Sequence, residues 1–300
     1  MAMKLPRLRT VLLLPIVLFG LAYIAGAIAL AWDDNSIEIF EQPPASYSTI
    51  VIFGASGTAG DGILKAALAN SEIGKIHVVS RRATPRIEAG VAARKVQMTL
   101  HKDYLNYSAI HEQVAEADAV YWAIGQRAIG VDESTYGTIH VDFPARFVAE
   151  WLDVSQRPSI SFHYISSSDI SADSTAMWAR EKFRAEKTLF GLAKNTKLRI
   201  VAYRPDYIGP TDEQAHLGQR FLYWFFAPVG VAVKAEQIGN AMFEVTARGR
   251  QFANGDKLNT RSILQYSDAF DRRQAVHRVK FMDRRFSRRI VRVDIIQPLH

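Results

Sequence analysis

The chain has 300 residues, 48% of them apolar, which is enough for a substantial core in one large domain or two small ones. It contains no cysteine, so disulfides, thiolate nucleophiles and cysteine-based zinc sites are excluded. The formal charge of +7 is concentrated at the C-terminus: residues 271–300 carry nine Lys/Arg against three Asp, and the remainder is nearly neutral.

In chain order, the first feature is an uncharged run over residues 10–32, TVLLLPIVLFGLAYIAGAIALAW. As a helix it would extend about 34 Å, against a hydrocarbon layer of ~30 Å. Tyr23 and Trp32 suit an interface. Lys4, Arg7 and Arg9 precede the run, and Asp33, Asp34, Glu38 and Glu41 follow it. That asymmetry places the N-terminus in the cytoplasm and the main domain across the membrane. Residues 1–32 are therefore expected to form a single-pass membrane anchor, with a cleaved signal peptide as the competing reading. Residues 33–47, acidic and then Pro43-Pro44, read as a linker.

From residue 48 the pattern becomes short apolar runs alternating with amphipathic stretches, the signature of βαβ units and a parallel sheet. Strands are expected at residues 49–53, 75–79, 96–100, 119–123, 159–165 and 198–202. A helix follows the first strand through about residue 69, and others are expected at 108–115, 143–153, 174–192 and 235–247. The fold class is α/β, a Rossmann-type doubly wound parallel sheet over residues 48–270 preceded by the transmembrane helix. Residues 271–300 read as a basic tail, solvated or bound to an acidic surface.

The strongest local motif is Gly54-Ala55-Ser56-Gly57-Thr58-Ala59-Gly60, between the first strand and its helix. Glycines there permit a tight turn and a close approach of backbone to a pyrophosphate, which the helix N-terminus then attracts. Ser56 and Thr58 add hydroxyl donors. The second strand ends in Ser80-Arg81-Arg82, where NAD-selective sites often carry a carboxylate. Two guanidinium groups suit a 2′-phosphate instead, so NADP(H) is expected over NAD(H). Asp103 and Tyr104 could border the adenine, and Ala123 and Gly125 are small residues at the cofactor edge of the fourth strand.

Together GASGTAG, SRR, YWAIG, YISSS and YRPDYIGP, in that order, resemble the atypical short-chain dehydrogenase/reductases, an NAD(P)-binding group that includes NmrA-like proteins. The resemblance implies a Ser–Tyr–Lys catalytic set. Tyrosine is the acid, lysine lowers its pKa and holds the nicotinamide ribose, and serine bonds the substrate oxygen. Mapped by motif, Ser167 takes the serine position and Lys182 the lysine position, while Trp178 stands where tyrosine belongs. An indole N–H has no acidity near neutral pH, so Trp178 leaves the acid missing; alternatively, it simply packs in the core. Tyr164 and Tyr207 are other candidate acids.

The implied activity is an NADP(H)-dependent oxidoreductase acting on a small apolar carbonyl or alcohol. The alternative is a catalytically degenerate NADP(H)-binding sensor or scaffold. A lumenal domain needs a local cofactor supply, which makes the endoplasmic reticulum membrane the expected location. The aromatic run over residues 221–226, FLYWFF, is read chiefly as core, with a substrate pocket or a membrane surface as alternatives. No metal site and no nucleic-acid partner are expected.

Overall fold

The computed structural model describes residues 8–32, 36–38 and 47–293. Helix α1 (Leu8–Ala31) precedes β1 (Thr49–Phe53), α2 (Thr58–Ala69), β2 (Lys75–Ser80), α3 (Pro85–Ala92), β3 (Val96–Leu100), α4 (His111–Ala115) and β4 (Ala119–Trp122). Then come α5 (Glu133–Gly137), α6 (Phe143–Val154), β5 (Ile160–Ile165), α7 (Met177–Leu192), β6 (Leu198–Arg204) and β7 (Tyr207–Gly209). The chain continues through α8 (Leu217–Phe226), β8 (Ala232–Lys234), α9 (Ala235–Arg248), β9 (Lys257–Asn259) and α10 (Thr260–Val293).

Seven strands form one sheet in the order β3-β2-β1-β4-β5-β6-β9, and every neighbouring pair is parallel. A separate parallel pair joins β7 to β8. The alternation of side chains along β1 explains the two-sided core. Ile50 and Ile52 pack with Ile63, Met242 and Phe243 of α2 and α9. Val51 and Phe53 pack with Phe147 and Trp151 of α6. With both faces covered, β1 is apolar from Ile50 to Phe53, and Thr49 at its start is buried as well. Strand order reverses between β1 and β4, which opens a crevice at their C-terminal ends.

The expected strands appear within a residue or two of their predicted bounds. Helices α3, α5 and α8 and strands β7 to β9 were not anticipated. No residue of α8 is buried; Phe221 and Trp224 are exposed, so the aromatic run is not core.

The membrane expectation is overturned. Among the described residues no helix is long and apolar enough to cross a membrane. Pro15 lies inside α1 and lacks the amide for the helical ladder. Its C-terminal half is seated on the domain: Tyr23 stacks on Phe225 with centroids 5.3 Å apart and donates its hydroxyl to the Phe225 carbonyl at 2.6 Å. The single-pass placement, the membrane partner and the endoplasmic reticulum location depended on that span and fall with it. Most of the expected linker lies outside the described residues.

Helix α10 runs without interruption through residue 271, where the basic tail was expected to start. Arg273 is buried and bonds Glu244 of α9 at 2.7 Å, while Arg248 bonds the other oxygen of Glu244 at 2.9 Å. Arg273 also pairs with Glu72. Removing one partner from a buried ion network strands the charges left behind. Arg273→Ala is therefore expected to lower the free energy of unfolding by about 3 kcal/mol. Chemical denaturation checks this, and an unchanged midpoint would contradict the buried network.

Candidate functional site

The turn after β1 is dictated by close backbone approach. Gly54 has φ +79°, and a Cβ there would lie 2.6 Å from the Ala123 carbonyl carbon. At Gly60 a Cβ would lie 2.1 Å from the Gly54 oxygen. Both glycines are thus required by the protein's own packing. Gly57 differs, since a Cβ there would meet only the Gly54 oxygen at 3.5 Å. Gly57 caps α2 without a side-chain bond, so the helix presents its first amides outward. Asp61, the acid of the first turn, is buried and held by Arg86 at 2.8 Å and by the Thr211 hydroxyl at 2.8 Å. That pairing offsets a negative charge that would otherwise weaken the anion-attracting helix end.

Three adjoining cavities surround this turn. One of about 160 Å³ is lined by Gly54, Ser56, Gly57, Arg81, Arg82, Ala123 and Gly125. A second, about 350 Å³, shares Arg81, Tyr104 and Gly125 with it and reaches Thr135 and Phe143. The third, about 450 Å³, contains Gly57, Thr58, Ala123, Gly125, Ser167, Trp178 and Lys182. Of the residues singled out from the sequence, all but Gly60, Asp103 and Tyr164 line one of these spaces; Gly60 is buried beneath the turn. No aspartate or glutamate lines any of the three, whereas Arg81, Arg82, Arg127 and Lys182 do. The acid-free wall, the outward amides and the room at Gly57 fit a dinucleotide with its phosphates on the first turn of α2.

Lys182 and Trp178 come from one face of α7, as their i, i+4 spacing requires. Trp178 is half-buried and lines the cavity, so it is not part of the core. Lys182 is buried; its Nζ donates to the Ile165 carbonyl at 2.8 Å and to the Tyr164 hydroxyl at 3.3 Å. Burial pulls the ammonium down to about 7, against the opposing charge of Glu186. Tyr164 is fully buried and donates to the His140 carbonyl at 3.1 Å; burial raises its pKa well above the ordinary value. It does not line the cavity, but Tyr207 does.

Several wall residues were missed by sequence reasoning. Ser166, beside the anticipated Ser167, is buried and its hydroxyl has no partner. His140 lies in a π-helical turn, Thr138–Asp142, and Tyr136 stacks on it at 4.1 Å. The His140 ring accepts from the Gln126 amide at 3.1 Å, its Nδ1 is unpartnered, and burial holds it down to about 3. A usable signal existed: Asp132 caps α5 by accepting from the Thr135 amide at 2.9 Å, a pattern readable as a helix start.

Sheet order and glycine turn define the class by fold: a Rossmann-type sheet like that of the short-chain dehydrogenases/reductases. No protein-family model matches the chain. A curated relative, leucinostatins biosynthesis cluster protein T of Purpureocillium lilacinum, is 28% identical over 177 residues, covering 58% of this chain and 62% of that protein. The match thus spans less than two thirds of the relative. Among solved structures, a short-chain dehydrogenase/reductase family oxidoreductase from Burkholderia thailandensis is similar at TM-score 0.59 and 15% identity, over 73% of this chain and 93% of that one. A 3-oxoacyl-[acyl-carrier protein] reductase from Brucella melitensis in complex with NAD gives 0.56 and 17%, over 75% and 98%. The UDP-glucuronic acid 4-epimerase of Bacillus cereus in complex with NAD gives 0.54 and 16%, over 70% and 76%. At these identities the likeness is one of fold.

The glycines separate folding from binding. Gly60→Ala is expected to destabilise the fold by about 1–3 kcal/mol through overpacking. Gly57→Ala should leave the thermal midpoint nearly unchanged while weakening dinucleotide binding at least about tenfold, because its methyl group occupies the approach to the amides. Thermal unfolding and calorimetric titration on the two variants check this; equal effects in both assays would contradict it.

Proposed function

We propose that the protein is an NADP(H)-dependent oxidoreductase of the atypical short-chain dehydrogenase/reductase type, acting on a small, largely apolar carbonyl or alcohol. The observation that carries this reading is the run of adjoining cavities. It links the amides of α2 to Lys182 with no carboxylate in its walls. The first turn of α2, with Ser56 and Thr58, holds the diphosphate. Ala123 and Gly125 let the cofactor pass close to the end of β4, and Lys182 borders the nicotinamide end. A reduced nicotinamide bound there supplies a hydride. Ile165, Ile208 and Trp178 shield the reacting carbon from water, and Ser166 or Ser167 orients the substrate oxygen.

A second reading is favoured by one residue. Trp178 faces the cavity at the position where the resemblance expects tyrosine, which suits a sensor that binds NADP(H) without turning over substrate. Both readings require dinucleotide binding and separate on turnover of a carbonyl panel. NADPH is preferred because Arg81 and Arg82 are exposed at the cavity edge and paired with no carboxylate among the described residues. A charge-assisted bond contributes about 1.5–3 kcal/mol. The double variant Arg81→Ala, Arg82→Ala should therefore weaken NADPH binding by at least about tenfold and leave NADH binding within about twofold. Calorimetry with both nucleotides decides it; equal loss for both would remove the NADP(H) preference.

A further inference from the structure

The proposed reduction needs a proton for the substrate oxygen, and Trp178 has none to give. Two phenols line the main cavity, Tyr136 and Tyr207. Burial and the charge of Glu181 push the Tyr136 hydroxyl up to about 12, making it a weaker acid. Tyr164, the hydroxyl nearest the lysine by hydrogen bonding, spends its own proton on the His140 carbonyl. Lys182 remains. Two of its three N–H groups are taken by Ile165 and Tyr164, leaving one for the cavity that its side chain lines.

We propose that Lys182 is itself the proton donor of the reduction, in place of the missing tyrosine. As hydride reaches the carbonyl carbon, the C=O π pair moves onto oxygen. An O–H bond then forms there as one Nζ–H bond breaks. Lys182 is left as a neutral amine, the form its burial favours, and regains a proton from water at the cavity mouth. In the oxidation direction the neutral amine accepts the proton of the alcohol. This role rests on the oxidoreductase reading above.

The surroundings of Nζ suit a lysine that must both hold and release a proton. Glu186, one turn along α7, is turned to Arg204 at 2.8 Å, and Glu181 is bound to Arg184 at 2.9 Å. Among the described residues no carboxylate forms an ion pair with Lys182. His140 from the π-helical turn, Tyr164 from β5 and Tyr136 from α5 are neutral near pH 7, and Tyr207 and Arg127 line the same cavity. The Glu186 charge opposes the desolvation but does not cancel it, so protonated and neutral lysine coexist near pH 7. That balance is what an acid–base group working at neutral pH requires.

Three measurements on the full chain test the role. In a carbon-13 NMR titration of protein labelled at lysine Cε, one lysine should titrate near pH 7, and that signal should vanish in Lys182→Arg. If every lysine stays charged to about pH 9, the role is overturned. Calorimetry with NADPH comes second. Absence of binding removes the oxidoreductase reading and the donor role with it, even if the lysine titrates as expected. Binding beside an ordinary lysine overturns the donor role alone.

The third is the pH dependence of NADPH oxidation with a panel of aldehydes, ketones and quinones. Turnover should be level below about pH 7 and fall about tenfold per pH unit above it. Lys182→Arg keeps the charge but cannot release its proton, so it should keep NADPH binding and lose at least about 100-fold in kcat. A profile level to about pH 9, or an arginine variant with parental turnover, contradicts the role. NADPH binding without turnover of any carbonyl removes it in favour of the sensor.

Discussion

The architecture depends on how closely three backbone segments meet at the end of β1. Gly54 must take a left-handed conformation against the carbonyl of Ala123, and Gly60 must let the first turn of α2 sit on the Gly54 oxygen. A side chain at either place would push α2 away from the sheet. With α2 seated, its N-terminus is fixed over the crevice between β1 and β4, and the amides there are rigid before any ligand arrives. The rest of the candidate site is arranged around that end. β2 delivers Arg81 and Arg82 to one side, while β5 and α7 deliver Ser166, Ser167, Trp178 and Lys182 to the other.

The parallel sheet was legible chiefly through β1 and β4, which are buried on both faces and written as short apolar runs. Val51 and Phe53 serve one layer, Ile50 and Ile52 the other, so no polar residue interrupts the pattern. The glycine turn was legible for a related reason: steric necessity leaves little choice of residue at Gly54 and Gly60. By contrast, β7, β8 and β9 are three residues each, too short for periodicity to register. Helix α8 deceived the reading because an aromatic cluster usually signals core. Here Phe225 packs under α1 while Phe221 and Trp224 face outward, an arrangement that composition does not encode.

The C-terminal segment shows the same limit from the charged side. Arginine pairs at 272–273 look like solvated surface when only the sequence is read. In the fold, Glu244 and Glu72 converge on Arg273 from α9 and from the turn before β2, and the carboxylates decide the outcome. Such a partner, 29 residues away in one case and 201 in the other, lies beyond any local pattern. The same holds for Ser166 and His140. Their burial and their missing partners are properties of the assembled wall.

The tryptophan at position 178 links the two halves of the site. A phenol one turn before Lys182 would have offered the ammonium a polar neighbour, and with it a reason to remain charged. An indole offers a large apolar face and one N–H, so it supplies less solvation to a lysine already buried beside Tyr164 and Ile165. Desolvation lowers the affinity of an amine for its proton. On the role proposed for Lys182, an indole at 178 and the burial of the lysine act in the same direction. Residue 178 need not be read as a lesion in an otherwise intact motif. Under the proposed role it works together with the lysine on the same helix face.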